Sequence, residues 1–157
     1  MALRTVRIQG DPVLEKKCKE VKEMTPKIEV LIDDMLETMY EEMGAGLAAP
    51  QVGVLKRIFV IDVGEGPFVF INPVIIETAG EQEGDEGCLS VPGKCGKVIR
   101  PKHVKIKALD RNMKEFEIVG HDYFARAMCH ENDHLDGHLY VEKVIGDLYD
   151  TNVELEE

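Results

Sequence analysis

At 157 residues the chain fits one compact domain, above the size at which a core needs disulfide or metal staples. A composition of 44% hydrophobic and 31% charged residues, with seven scattered prolines, excludes a disordered tail and a membrane protein. Thirty acidic against nineteen basic residues give a formal net charge of −11. That charge repels phosphate backbones and anionic bilayers, so neither a specific nucleic acid nor a membrane is expected as a partner.

The opening residues, Met1 to Pro12, contain no apolar run of signal-peptide length, and no later stretch is long enough to span a bilayer. Four cysteines (Cys18, Cys88, Cys95 and Cys129) are therefore expected as reduced thiols in a cytoplasmic setting, where conspicuous cysteines point to metal or catalysis. No repeat or linker divides the chain, so residues 1–157 read as a single domain. The first predicted element is an N-terminal amphipathic helix from Pro26 to Met43, with Thr25 as cap and Gly44 as stop. Ile28, Leu31, Ile32, Met35 and Met39 form its apolar face.

Strand signals follow at Arg57–Val63 and Phe68–Ile71, separated by a turn at Gly64, Gly66 and Pro67, and then at Val74–Glu77. Lys97–Arg100, Val104–Leu109 and Glu115–Val119 read as antiparallel strands. Asp110–Lys114 turns the last hairpin, although Asn112-Met113 lacks the glycine such a turn usually carries. The cationic run Lys94, Lys97, Arg100, Lys102, Lys105 and Lys107 reads as a solvated strand face. A second helix starts with Asp122 as cap and runs to Asp136, where Gly137 stops it. The last stretch, Val141–Glu157, is expected to fray after one or two turns. Helix, strands and a helix packed on them make an α+β fold.

The strongest chemical signal lies on the second helix, His130-Glu131-Asn132-Asp133-His134. Histidines at i and i+4 share one helical face, so both imidazoles can reach one metal ion, and Glu131 sits beside the first. A catalytic site usually has three protein ligands. The position ten residues after His130 is Tyr140, His138 is out of register, and Glu154 lies almost at the chain end. An upstream candidate is Cys88, in the segment Glu86-Gly87-Cys88-Leu89-Ser90 flanked by Gly84 and Pro92-Gly93. A cysteine in a glycine-bounded loop is poorly explained as core filling; its thiolate would complete a Cys/His/His set. A buried structural cysteine is the alternative. The segment Gly44 to Gln51 is rich in glycine and alanine, which lets a peptide approach closely, and Gln51 offers an amide donor. A plain helix-terminal turn would also explain it.

In this order the three segments resemble the peptide deformylase family, marked by G-x-G-hydrophobic-A-A-x-Q, E-G-C-hydrophobic-S and H-E-x-D-H. Asp11-Pro12, Ile71-Asn72-Pro73, Arg100-Pro101 and Leu135-Asp136-Gly137 extend the resemblance over nearly the whole chain. It implies antiparallel strands packed around a central metal-binding helix. It further implies one divalent metal ion on Cys88, His130 and His134, with Fe2+ favoured over Zn2+, Ni2+ or Co2+. Glu131 would serve as general base and then acid, while the Gln51 side chain and the Leu89 backbone N–H would stabilise the oxyanion. The implied substrates are N-formylmethionyl nascent peptides, from which formate is released.

By the same resemblance Gly46 admits the extended peptide, Ala45 bears on the width of the methionine pocket, Ala127 and Met128 are candidates to line it or else core residues, and Asp133 orients the site. Asn132 stands where an apolar residue is usual, Cys129 where a glutamine is common, and Ala45 is smaller than the usual branched residue. Cys95 reads as a turn residue or a second oxidisable thiol. A transient ribosome contact belongs to the family's partners, but no long basic C-terminal helix carries it here. Two other readings use the same residues. One is a zincin-like endopeptidase with a different third ligand; the other binds formyl peptides or metal without turnover. Intact Glu131 and Gln51 weigh against the latter.

Overall fold

Helix α1 (Pro26–Glu41) begins where the Thr25 hydroxyl accepts the Ile28 amide at 3.2 Å, with Pro26 in the first turn, where a missing N–H leaves nothing unpaired. A computed structural model describes residues 2–151. Ile28, Leu31, Ile32, Met35 and Met39 are all buried, as their spacing predicts. The helix ends two residues before Met43, and Met43 rather than Gly44 takes the left-handed conformation, with φ 56°. Asp34 also points inward, where it accepts the Ala2 amide at 2.7 Å and Arg4 Nε at 2.9 Å.

The strands in chain order are β1 (Gly46–Ala48), β2 (Ile58–Ile61), β3 (Phe68–Ala79), β4 (Gln82–Cys88), β5 (Val91–Arg100), β6 (His103–Leu109), β7 (Glu115–His121) and β8 (Ile145–Asp150). They form two antiparallel sheets, ordered β1-β2-β3-β6-β7 and β4-β5-β8. Strand β2 is buried at all four positions and shows how the layers stack. Ile58 and Val60 pack with Leu31, Met35 and Met39 of α1, while Phe59 and Ile61 pack with residues of helix α2 (Asp122–Leu135). Strand alternation therefore places one helix on each face of the larger sheet. Among the described residues no helix is long and apolar enough to cross a membrane.

Several elements differ from the sequence expectation. The two segments expected on either side of Asn72-Pro73 are one strand, β3, with a register shift between Ile71 and Val74. Asn72 adopts φ 51°, and its side-chain amide bonds both the amide and the carbonyl of Val21, at 2.8 and 2.7 Å, so the irregularity is held by hydrogen bonds. Strand β4 is rich in glycine and acidic residues and is extended because it pairs with β5 along most of its length. Residues 145–150 do not fray; they pair with β5 as β8, and Lys94 meets Asp150. Glu154 and the rest of the tail from 152 lie outside the described residues. In the 110–114 turn Met113 takes φ 60° in place of a glycine, and Asp110 accepts the amides of Asn112 and Lys114 at 2.8 and 3.0 Å.

The cationic run is a solvated face for its lysines only. Lys105 pairs with Glu117 and Lys107 with Glu115 on the outer face, whereas Arg100 is buried. His121, not Asp122, is the N-cap of α2. At the other end Gly137 turns the chain with φ 83°, and a Cβ there would lie 2.6 Å from the Glu15 carbonyl oxygen. Gly137→Ala combines a left-handed side-chain residue with a backbone clash. It is expected to cost about 2 kcal/mol or more, read as a lower urea midpoint at unchanged slope.

Candidate metal centre and active site

On α2 the i, i+4 spacing brings His130 and His134 to one side, and both are buried. Cys88 meets them from the end of β4. The ligand atoms of Cys88, His130 and His134 all lie within 4.8 Å of one another, with Cys88 Sγ 3.4 Å from His134 Nε2. Metal–nitrogen bonds of about 2.0–2.1 Å and metal–sulfur bonds of about 2.3 Å place tetrahedral donors about 3.3–3.8 Å apart, so this donor set fits a divalent transition ion. Cys88 is not in a loop: it is the last residue of β4, paired with Val91 of β5 across the turn Leu89-Ser90. A strand end, rather than glycine flexibility, aims its sulfur.

The sequence reading missed the group that holds His130. Glu86, two residues before Cys88 on the same face of β4, accepts His130 Nδ1 at 2.8 Å and so leaves Nε2 to face the sulfur. It also accepts Arg100 Nε and Nη2 at 2.8 and 3.0 Å and Arg126 Nη1 at 2.7 Å. Burial alone would raise the Glu86 pKa, but these bonds and the neighbouring positive charge outweigh it and bring the carboxyl down to about 2. Arg100 reaches on to Asp133 at 2.7 Å, which supplies the orienting contact expected of that aspartate. Two signals in the sequence pointed here: the i, i+2 relation of Glu86 and Cys88, and an arginine at 126 inside an otherwise apolar helix stretch. Tyr140 stacks on the His130 ring at 5.9 Å between centroids. His134 Nδ1 has no protein partner among the described residues.

Glu131 is buried, and its Oε1 has no hydrogen-bond partner among the described residues. Burial raises its pKa to about 7, so it can both take and give a proton near neutrality. Burial and the His130 charge push His134 well below the usual imidazole value. For His130 burial acts downward too, but the Cys88 sulfur, Glu131 and Glu86 outweigh it and hold it well above. Gly46 is required by close approach: a Cβ there would lie 2.6 Å from Glu131 Oε2.

Gln51 lies in a 3-10 turn, Ala49–Val52, directly after β1. Its Oε1 accepts the Ala48 amide at 2.9 Å, which turns Nε2 toward Ser90 Oγ at 3.0 Å and Cys88 Sγ at 3.5 Å. A cavity of about 520 Å3 brings together Ala45, Gly46, Gln51, Cys88, Leu89 and Glu131, with Ala127 on the α2 side. Met128 does not reach it; it is fully buried in the core, where Gly120 leaves room for its sulfur. Cys129 also faces the core, and burial raises its thiol to about 11.

The family model for polypeptide deformylase matches residues 3–147. The chain belongs to the polypeptide deformylase family. A peptide deformylase of Agathobacter rectalis is 68% identical over 154 residues, spanning 98% of each chain. One of Lachnoclostridium phytofermentans is 61% identical over 160 residues, covering 100% of this chain and 98% of its own. The crystal structure of a peptide deformylase from Thermotoga maritima superposes with a TM-score of 0.91 at 39% identity, over 93% of this chain and 100% of the other. The deformylase fold is thus the one formed here by the two sheets and two helices.

Proposed function

We propose that residues 1–157 form a single catalytic domain acting in the cytoplasm, with Cys88, His130 and His134 holding one divalent ion, preferably Fe2+. The chain is a metal-dependent peptide deformylase, removing the N-formyl group from the terminal methionine of new polypeptides. The observation that carries the residue roles is the placement of Glu131, a buried carboxylate whose Oε1 has no partner among the described residues, in one cavity with Cys88 and His130, two of the three convergent metal donors. An ion held by Cys88, His130 and His134 would supply Lewis acidity and lower the pKa of water toward about 7. Glu131 would take a proton from the water whose oxygen adds to the formyl carbon and give it to the amine nitrogen as the C–N bond breaks, leaving formate and a free N-terminal amine. Gln51 Nε2 and the Leu89 backbone N–H donate to the formyl oxygen as it gains negative charge.

Strands β1 and β4 are terminal strands of separate sheets, and residues of both line the cavity, so an extended peptide finds main-chain partners on either side. Gly46 gives it room. The small Ala45 and Ala127 border the space for the methionine side chain.

The test is formate release from a formyl-Met-Ala peptide by protein purified without oxygen and loaded with Fe2+ or Ni2+. Metal-dependent release is expected; no release at one bound ion per chain would overturn the assignment in favour of binding without turnover. Cys88→Ser separates the endopeptidase reading. It is expected to abolish tight metal binding at the buried centre, whereas a zincin with another third ligand would keep its ion there.

A further inference from the structure

We propose that His103 and His121 form a second metal site, exposed and separate from the buried centre, for a divalent transition ion of the Cu2+, Zn2+ or Ni2+ class. The two histidines face each other on the last rung of β6 and β7. The Asp122 amide bonds the Lys102 carbonyl at 2.8 Å, which makes His103 and His121 a non-hydrogen-bonded pair. Such pairs bring their side chains closest together. The outcome is direct contact: Nδ1 of His103 lies 2.7 Å from Nδ1 of His121, and the rings meet edge to face at 75°.

Two nitrogens bonded to one ion at about 2.0–2.1 Å are about 2.9 Å apart in the cis positions of a square and about 3.4 Å apart in a tetrahedron. The pair therefore needs to open by only a few tenths of an ångström to chelate at right angles. When both imidazoles are neutral, one Nδ1 carries the hydrogen of the present contact. A tautomer shift moves that proton to Nε2 and frees both lone pairs, with no net proton release.

The backbone beneath is fixed. Gln82 Nε2 donates to the carbonyls of Pro101 and Asp122, at 3.0 and 2.6 Å, tying the residues before His103 to the residue after His121. Around the pair, Ala79 stands opposite His103 and Val119 lies two rungs before His121, while the nearby Lys105 is paired with Glu117. The only group of three or more His, Cys or carboxylate donors among the described residues is the buried one. The pair thus offers two nitrogens, leaving the other positions to solvent. Imidazole donors select borderline transition ions over Mg2+ or Ca2+, and Cu2+ stands highest in affinity. A chain carrying −11 favours cations at its surface.

The experiment titrates the Zn2+-loaded protein with further Zn2+ by calorimetry in excess Mg2+, and follows Cu2+ by electron paramagnetic resonance. One further ion per chain is expected, with a dissociation constant on the order of micromolar, and the Cu2+ spectrum should show two equatorial nitrogens. His103→Ala and His121→Ala should each weaken it at least tenfold, whereas His138→Ala, at the other exposed histidine, should not. The added ion should also raise the unfolding temperature of the wild type and leave that of the double variant unmoved. Absence of a further ion in the wild type, or its survival in the double variant, overturns the site.

Discussion

Glu131→Ala is expected to lower kcat about 10^2- to 10^4-fold while the protein still takes up one metal ion. The two effects separate because Glu131 is not among the three donors, yet it shares a cavity with Cys88 and His130. The two other acids packed about the histidines are already engaged, Glu86 by two arginines and a histidine and Asp133 by Arg100. Glu131→Gln makes the sharper comparison, since it keeps the volume and removes only the titrating proton. Burial holds this carboxyl near a pKa of about 7, so its ionised form is kept against its own preference. The glutamine variant in its metal-free form is therefore expected to melt no lower than wild type, although it is inactive. Substantial formate release by either variant at full metal loading would remove Glu131 from its role.

The largest effect on stability is expected at Glu86, outside the set of reacting groups. Its carboxylate answers Arg100 twice, Arg126 once and His130 once, all in the interior. Glu86→Ala leaves the buried Arg126 guanidinium without its counter-charge and Arg100 with Asp133 alone, an arrangement that costs about 3–5 kcal/mol. It also frees His130 Nδ1, so the ring loses the bond that presents Nε2 to the metal side, and affinity for the ion is expected to fall about 10- to 100-fold. Urea titration of the metal-free protein reads the first effect and competition with a chelator the second. A variant within about 1 kcal/mol of wild type, with unchanged metal affinity, would show that Asp133 and the Val98 carbonyl, which Arg100 and Arg126 already bond, make good the loss.

Much of this was legible in the residues. The apolar spacing of α1 predicted its buried face, and the histidine pair on α2 predicted one shared side, because both follow from helical periodicity. Cys88, Gln51 and Gly46 were found by their segments, and the fold brings all three to the same cavity. What was not legible depended on partners distant in sequence. Strand β4 is too acidic and glycine-rich to announce itself and exists through its pairing with β5, and β8 is extended for the same reason. Arg100 looked like one more cation on a solvated strand; only the tertiary meeting of Glu86, Asp133 and Arg126 turns it inward. Met128 and Ala127 are neighbours on α2, and nothing in their residue types separates the one in the core from the one at the cavity.

The separation of the two sheets has a consequence for how an ion would be lost. Cys88 ends a strand of the three-stranded sheet, whereas both histidines stand on α2, whose packing is chiefly with the five-stranded one. The cluster of Val91, Val98, Leu139 and Tyr140 and the charged contacts of Glu86 join the smaller sheet to the rest. Proteins open in cooperative pieces of unequal free energy. When the smaller sheet lifts as such a piece, it takes the thiolate and the histidine's anchor together, leaving two imidazoles that hold an ion far less well. Release of the ion and hydrogen exchange of the amides in β4, β5 and β8 are then expected to share one opening constant.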